Sequence, residues 1–245
     1  MKDPLVTNGS VVTSSFENQP VQFFVFNQQD EIQKYHYAGS FYEVEELSII
    51  RRYVPEGATI LDIGTNIGNH AIFFEKVLKA KEVIVIEPNP IAIHGLKINL
   101  ALNNCQHINQ DYLGIGLANG SFRAEIRIPE NNLGGAFLEA SEDKGAPVEK
   151  GDKFFSRKFI DFIKIDVEGL EIDVLNGLAR TIEKNRPSFF IEVLDRNVEQ
   201  FKQWVAENDY ETLQTYRRYA VNENYFIVPA ESPLTVQGVT GTGNV

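Results

Sequence analysis

Residues 59–74 read TILDIGTNIGNHAIFF, an apolar run carrying one acid, then two glycines four positions apart, then a helical pattern. Ile60, Leu61 and Ile63 form the short continuous apolar segment that a strand buried on both faces requires, and Gly64 ends it. Ile67, Ala71, Phe74 and Leu78 recur as one stripe of a helix. The stretch predicts strand, glycine turn, helix. Such a junction leaves backbone N–H groups free at a helix start and lets a ligand approach the main chain closely.

The glycine spacing separates two users of this junction. A dinucleotide-binding turn needs G-x-G-x-x-G to seat a pyrophosphate, whereas this turn is Gly64-Thr65-Asn66-Ile67-Gly68, with Asp62 two residues before it. An acid there opposes a pyrophosphate and suits a ligand bearing a positive ammonium or sulfonium, which points to S-adenosyl-L-methionine. The glycines alone also fit a plain strand-to-helix turn, so the assignment needs the support of residues further along the chain. A second strand over 83–86 ends in Glu87-Pro88-Asn89-Pro90. A carboxylate in that position can accept both ribose hydroxyls of a nucleoside. Glu87 lies 25 residues after Asp62, near the roughly 20 usual in nucleotide-binding units.

Composition narrows the class. A chain of 245 residues, 43% hydrophobic and 11% aromatic, can bury one sizeable core. The expected division is an N-terminal extension over 1–40, a single domain over 41–230 and a flexible Gly- and Thr-rich tail over 231–245. No apolar run approaches the ~18 residues needed to span a membrane, and the opening MKDPLVTNGS has no apolar core of a secretory signal. The single cysteine, Cys105, forms no intramolecular disulfide and reads as a small buried hydrophobe, which suits a cytoplasmic location. A net charge of −11, from 34 acids against 23 bases, repels polyphosphate, so no nucleic-acid partner is expected. His36, His70, His94 and His107 do not pair at ligand spacing, which argues against zinc.

Along the remaining chain, residues 1–40 are polar and turn-rich apart from a strand over 21–26. A helix over 44–53 follows, with Glu43, Glu45 and Glu46 at its start and Arg51 and Arg52 at its end. Ile93, Leu96 and Leu100 mark another helix, and a third strand over 106–110 ends in Asp111; by position Gln110 or Asp111 is a candidate contact for an adenine amino group, and a surface turn fits these residues equally well. From 112 to 158 the helical period disappears. A half-exposed strand over 122–128, an NNLGG turn over 131–135 and a mobile polar loop over 139–153 are expected, and substrate selection is placed there. The segment FIKIDVEG, 162–169, reads as a buried strand with charges at alternate positions. Lys164 is read as neutralising acids on neighbouring strands, while Asp166 and Glu168 fall at the carboxyl edge where open α/β sheets bind ligands. One helix stripe through Ile172, Leu175, Leu178 and Ile182, a strand over 188–193 with Glu192 near its end, a helix on Val198, Phe201 and Val205, and two strands over 210–219 and 224–229 complete the pattern.

Three segments together, LDIGTNIGNHAIFF, VIEPNP and DFIKIDVEGLEIDVLNG followed by IEV, resemble the motifs of the FkbM family of S-adenosylmethionine-dependent methyltransferases, and NNLGGA is similar to that family's N-x-G-G segment. The resemblance implies an α/β class I methyltransferase fold: a Rossmann-like, doubly wound, mostly parallel seven-stranded sheet with a C-terminal antiparallel hairpin. It also implies methyl transfer to a hydroxyl of a sugar, glycan or natural product. Asp62, Gly64, Asn66, Gly68, Asn69 and His70 would surround the methionine part of the cofactor, Glu87 would hold the ribose, and Asn89 would lie by the adenine; Asp111 is a cofactor candidate by its position alone, since Gln110-Asp111 departs from the family's pattern. Asp166, helped by Glu168, would orient and deprotonate the acceptor hydroxyl, with a substrate hydrogen bond from Asn132. A divalent metal on Asp166 and Glu192 ranks second, because Lys164 explains those carboxylates more simply; no metal ligand set is assigned. A nicotinamide dehydrogenase is disfavoured by Asp62 and the missing G-x-G-x-x-G. A base-directed N-methyltransferase is disfavoured by the lack of a [DN]-P-P-[YFW] element. The rival from another class is a non-catalytic binding or scaffold protein on the same fold. No oligomeric state is assigned.

Overall fold

The computed structural model describes residues 8–238. The chain opens with a hairpin, β1 (Ser10–Phe16) and β2 (Gln19–Val25), followed by α1 (Gln33–Tyr37) and α2 (Val44–Tyr53). Strand β1 was not expected. Its turn residues Glu17 and Asn18 both have positive φ, 45° and 67°, the hand that matches hairpin twist, but they carry no glycine to announce it. The hairpin joins the body of the molecule: Phe16, Val21 and Phe23 are buried in the main core, and Asn99 and Asn103 accept main-chain N–H bonds from Phe24 and Gln22.

The organising stretch forms as expected. β3 (Thr59–Ile63) runs into the glycine turn and α3 (Asn69–Lys76), then β4 (Glu82–Ile86), α4 (Pro90–Leu102) and β5 (Ile108–Asn109). The middle of the chain folds into β6 (Gly116–Leu117), β7 (Phe122–Arg127), β8 (Phe137–Ser141), β9 (Ala146–Glu149) and α5 (Asp152–Phe155). β6 to β9 make a separate four-stranded sheet in the order β6-β9-β7-β8, so the expected loop over 139–153 is largely regular structure. The alternation there is hidden because only Val148 is buried in β9 and no residue of β8 is fully buried.

β10 (Phe162–Ile165), α6 (Glu171–Gly177), α7 (Ala179–Asn185), β11 (Ser188–Leu194), a 3-10 turn at Asp195–Asn197, α8 (Val198–Glu207), β12 (Tyr210–Tyr216) and β13 (Asn222–Pro229) follow. Two expectations need correction. β10 ends at Ile165, so Asp166 and Glu168 sit in the loop beyond it. The helical stripe through Ile172 and Ile182 is broken at Leu178 into two helices. Within the expected tail, Pro233–Gly238 forms α9, and 239–245 lie outside the described residues.

Among the described residues, seven strands form the central sheet in the order β12-β13-β11-β10-β3-β4-β5. β11, β10, β3, β4 and β5 are parallel, and β13 pairs antiparallel with both β11 and β12. Period-two alternation sorts the core into two layers. Ile60, Val83, Phe162, Phe190 and Phe226 face the side of α2 and α3, whereas Leu61, Ile84, Ile163, Phe189 and Ile227 face α6 and α8.

Candidate functional site

The same alternation gathers charge on one face. Lys164 is the register partner of Asp62 on β3 and of Phe190 on β11, so Asp62, Lys164 and, two residues past Phe190, Glu192 project to the same side; Glu192 in turn faces Asn224 on β13. Lys164 Nζ lies 3.8 Å from Asp62, which is fully buried, and 3.1 Å from Asp166, and it donates to the Gly64 carbonyl at 3.2 Å. Burial pushes the Asp62 carboxyl up, against the pull of Lys164 and the Thr65 hydroxyl. Burial alone would lower Lys164, but Asp166 and Asp62 outweigh it and hold the ammonium above its ordinary value. The neutralising role expected of Lys164 is therefore met by geometry.

A first cavity, with about 820 Å³ of unfilled space partly open to solvent, lies over the glycine turn. Gly64 has φ +79°, and a Cβ there would overlap the Asp166 carbonyl oxygen, so only glycine lets the ends of β3 and β10 meet. Glu87 accepts N–H bonds from Asn66 at 2.9 Å and Asn89 at 2.8 Å; burial pushes its carboxyl up to about 7 although these bonds oppose the rise. Asn89 Oδ1 caps α4 by accepting the Ile91 N–H, which leaves its buried Nδ2 without a partner among the described residues. Leu117, Ile126, Leu133 and Leu138 supply an apolar wall opposite. A buried acid with lone pairs to spare, an unpartnered amide and an apolar wall fit a nucleoside.

The other residues expected to surround a cofactor are distributed unevenly. Asn66, Asn69 and His70 line this cavity. The Asn69 amide is engaged with the N-terminal segment: Nδ2 donates to the Tyr42 carbonyl, while Oδ1 accepts the Tyr42 N–H and lies 3.0 Å from His36 Nε2. His70 Nε2 is 3.5 Å from the Glu43 carboxylate; burial pushes His70 well down and Glu43 up to about 8. Asp62 and Gly68 are not part of the wall: Asp62 lies beneath it, and Gly68, with φ +93°, starts α3 against Leu96. Asp111 is exposed, outside both cavities, with its N–H donated to Asn109.

A second cavity, with about 1230 Å³ of unfilled space partly open to solvent, shares Ile32, Tyr42, Glu43, Gly134 and Asp166 with the first. Asn132 and Glu168 line only this one. Asn132 Oδ1 accepts the Gly135 N–H and so shapes the NNLGG turn, which is fastened from outside by Asp30, whose carboxylate accepts the Leu133 N–H. Carboxylate oxygens of Asp166, Glu168 and Glu192 lie within 4.8 Å of one another. Burial, then the charge of Asp166, pushes Glu168 up to about 7 and Glu192 well above the carboxylate range.

Sequence reading missed Ile32, Tyr42, Glu43, Tyr219 and Asn222 as cavity residues. Tyr42 and Tyr219 join through their hydroxyls at 2.8 Å across 177 positions, which no local period encodes. One signal was present: Glu43, Glu45 and Glu46 crowd the start of α2, and of these Glu46 is fully buried and paired with Arg218.

Residues 62–220 match the family model described as the methyltransferase FkbM domain. The chain is similar to Methyltransferase 1 of Beauveria bassiana (strain ARSEF 2860), 22% identical over 148 residues that make up 51% of this chain and 59% of that protein. Among solved structures it is similar to methyltransferase FkbM from Methylobacillus flagellatus KT, with a TM-score of 0.52 and 22% identity over 71% of this chain and 44% of that one. It is also similar to an rRNA methylase from Streptococcus thermophilus, with a TM-score of 0.50 and 9% identity over 76% and 95% of the two chains. The chain thus spans less than two thirds of the length of the first two. These likenesses bear on the fold, and it is the expected class I methyltransferase sheet.

Proposed function

The chain belongs to the methyltransferase FkbM domain family, and from that premise we propose that it is an S-adenosyl-L-methionine-dependent O-methyltransferase acting on a hydroxyl of a sugar, glycan or natural product. One observation carries the reading: a cavity lined by the glycine turn, Glu87 and Asn89 meets a polar cavity along a border that includes the carboxylates of Asp166 and Glu43. When bound, S-adenosylmethionine supplies a methyl group already activated by its sulfonium. Glu87 would hold the ribose hydroxyls, Asn89 Nδ2 would face the base, and the turn from Gly64 to His70 would border the methionine part. Asp111 stands too far out on the surface to share that work.

The protein's own task is then alignment and proton removal. Asp166, fixed by Lys164 at 3.1 Å, would orient the acceptor hydroxyl and take its proton, with Glu168 beside it and Asn132 offering a substrate hydrogen bond. Glu31, Glu43, Glu130, Asp166, Glu168 and Glu192 border the second cavity and no lysine or arginine does so among the described residues. That surface favours a small hydroxylated acceptor over a polyphosphate one. No helix among the described residues is long and apolar enough to cross a membrane, which accords with the cytoplasmic location we propose.

Calorimetric titration with S-adenosylmethionine, and with NADH as the control, tests the cofactor. Micromolar binding of the former, weakened in Glu87→Ala, is expected; a native protein that binds neither would return the scaffold reading. For the chemistry, an Asp166→Asn variant that retained full turnover would remove Asp166 from the role of base.

A further inference from the structure

Lys164 was expected to account for the acids on the strands next to it, and the structure shows how far it reaches. Its ammonium pairs with Asp62 and Asp166, and among the described residues no ion pair or side-chain hydrogen bond reaches Glu168 or Glu192. Those two acids nevertheless converge with Asp166, and Glu43, 7% exposed, borders the same cavity. Like charges held this closely are unfavourable unless a proton or a cation offsets them.

A second, separate feature points into the same space. Asn222 opens β13, borders the second cavity and is 5% exposed, yet its Oδ1 has no donor among the described residues. A buried amide oxygen without a donor is costly in a protein interior, because it loses its bond to water and gains nothing. Register places Asn222 beside Leu194 and Asn224 beside Glu192, so the residue belongs to the same edge of the β11–β13 pair as the acids. The donor set is oxygen throughout, which suits a hard cation such as Mg²⁺, Mn²⁺ or Ca²⁺ and not zinc or copper.

We propose that Asp166, Glu168 and Glu192, with the amide oxygen of Asn222 beside them, form a divalent-cation site on the acceptor side of the junction between the two cavities. The cation offsets the carboxylates that Lys164 leaves unpaired and gives an acceptor oxygen a fixed place next to Asp166. Its role toward the acceptor rests on the methyltransferase reading; its binding does not.

The test is Mn²⁺ titration of the full chain without cofactor, followed by the loss of the free-ion electron paramagnetic resonance signal, with Mg²⁺ and Ca²⁺ as competitors. A single site is expected, with a thermal midpoint that rises as Mn²⁺ is added. Glu192→Gln and Glu168→Gln should each weaken Mn²⁺ by roughly 10-fold or more and abolish the thermal shift, while Glu199→Gln, an exposed acid on α8, leaves both unchanged. Both glutamine variants relieve repulsion, so failure to fold is not expected to obscure the result. Absence of Mn²⁺ binding at millimolar concentration, or binding that is indifferent to Glu192→Gln and Glu168→Gln, overturns the site. S-adenosylmethionine titrated into the same preparation separates the two claims: cofactor binding without Mn²⁺ binding sinks only the cation site, and the reverse sinks only the cofactor reading.

Discussion

Glu87 and Glu192 are both acids at the carboxyl end of a parallel strand, but their surroundings differ. Glu87 receives main-chain N–H bonds on both oxygens, while Glu192 has no hydrogen-bond donor among the described residues and faces Asp166 and Glu43. The acid of the glycine-turn half is thus held by backbone N–H groups before any ligand arrives, and what that half leaves over is the neutral Asn89 Nδ2. The half around Asp166 is held together by one lysine and leaves charge over. A polar group that is already bonded tolerates an empty site, whereas a crowded one is tuned to what fills it.

The strongest way to break this contrast is to remove the group both halves share. Lys164→Met leaves the buried Asp62 and the half-buried Asp166 without their cation and should cost about 3–5 kcal/mol in urea unfolding; a loss below about 1 kcal/mol would mean that Lys164 does not bind the halves together. Gly64→Ala comes next, because a side chain at φ +79° would also strike the Asp166 carbonyl. Roughly 3 kcal/mol of stability should disappear, and cofactor binding with it.

Proton linkage sharpens the comparison without mutation. Glu87 and Glu43 are raised by burial to about 7 and about 8 from an ordinary 4.5. A carboxyl raised on folding binds its proton more tightly in the native state, so stability falls as pH climbs from 4.5 through the folded pKa. His36, pushed down to about 4 by burial, gives the opposite trend, but only below its ordinary 6.5. From pH 6.5 to 8 the acids prevail: Glu87 and Glu43 alone should lower the unfolding free energy by about 2 kcal/mol, and Glu168 and Glu192, also raised by burial, add to the fall. Flat stability across that window would show these carboxyls ionised throughout.

Smaller effects separate the two halves directly. Glu87→Ala should weaken S-adenosylmethionine about 10-fold, while Glu192→Gln leaves that affinity unchanged and raises the thermal midpoint. The smallest belongs to Asp111→Ala, which should alter stability by less than about 0.5 kcal/mol and leave cofactor affinity intact, since Asp111 is exposed and stands outside both cavities.

Much of the fold is legible in local pattern. TILDIG followed by the Ile67 stripe could fold only as strand, turn and helix, and Glu87-Pro88-Asn89-Pro90 marked a strand end, a helix start and an acid in one motif. Regions with few apolar residues were harder to read. β1 turns through Glu17-Asn18 without glycine, and β8 and β9 bury too little to alternate visibly. At the site, the residue types at 87, 89 and 166 could be chosen by position along the chain, because strand ends converge on one edge of an open α/β sheet.

The sequence by itself determined the strand, turn and helix order from 59 to 102, the glycine that lets two strand ends touch, and the acid that closes β4, since these depend on period and turn chemistry within a few residues. Only the tertiary structure decided which charges find partners. Lys164 reaches Asp62 through strand register across 102 positions, Tyr42 meets Tyr219 across 177, and Asn222 arrives from an antiparallel strand late in the chain. Pairing of that kind is set by strands lying about 4.8 Å apart in one sheet, and a chain read in one dimension does not contain it.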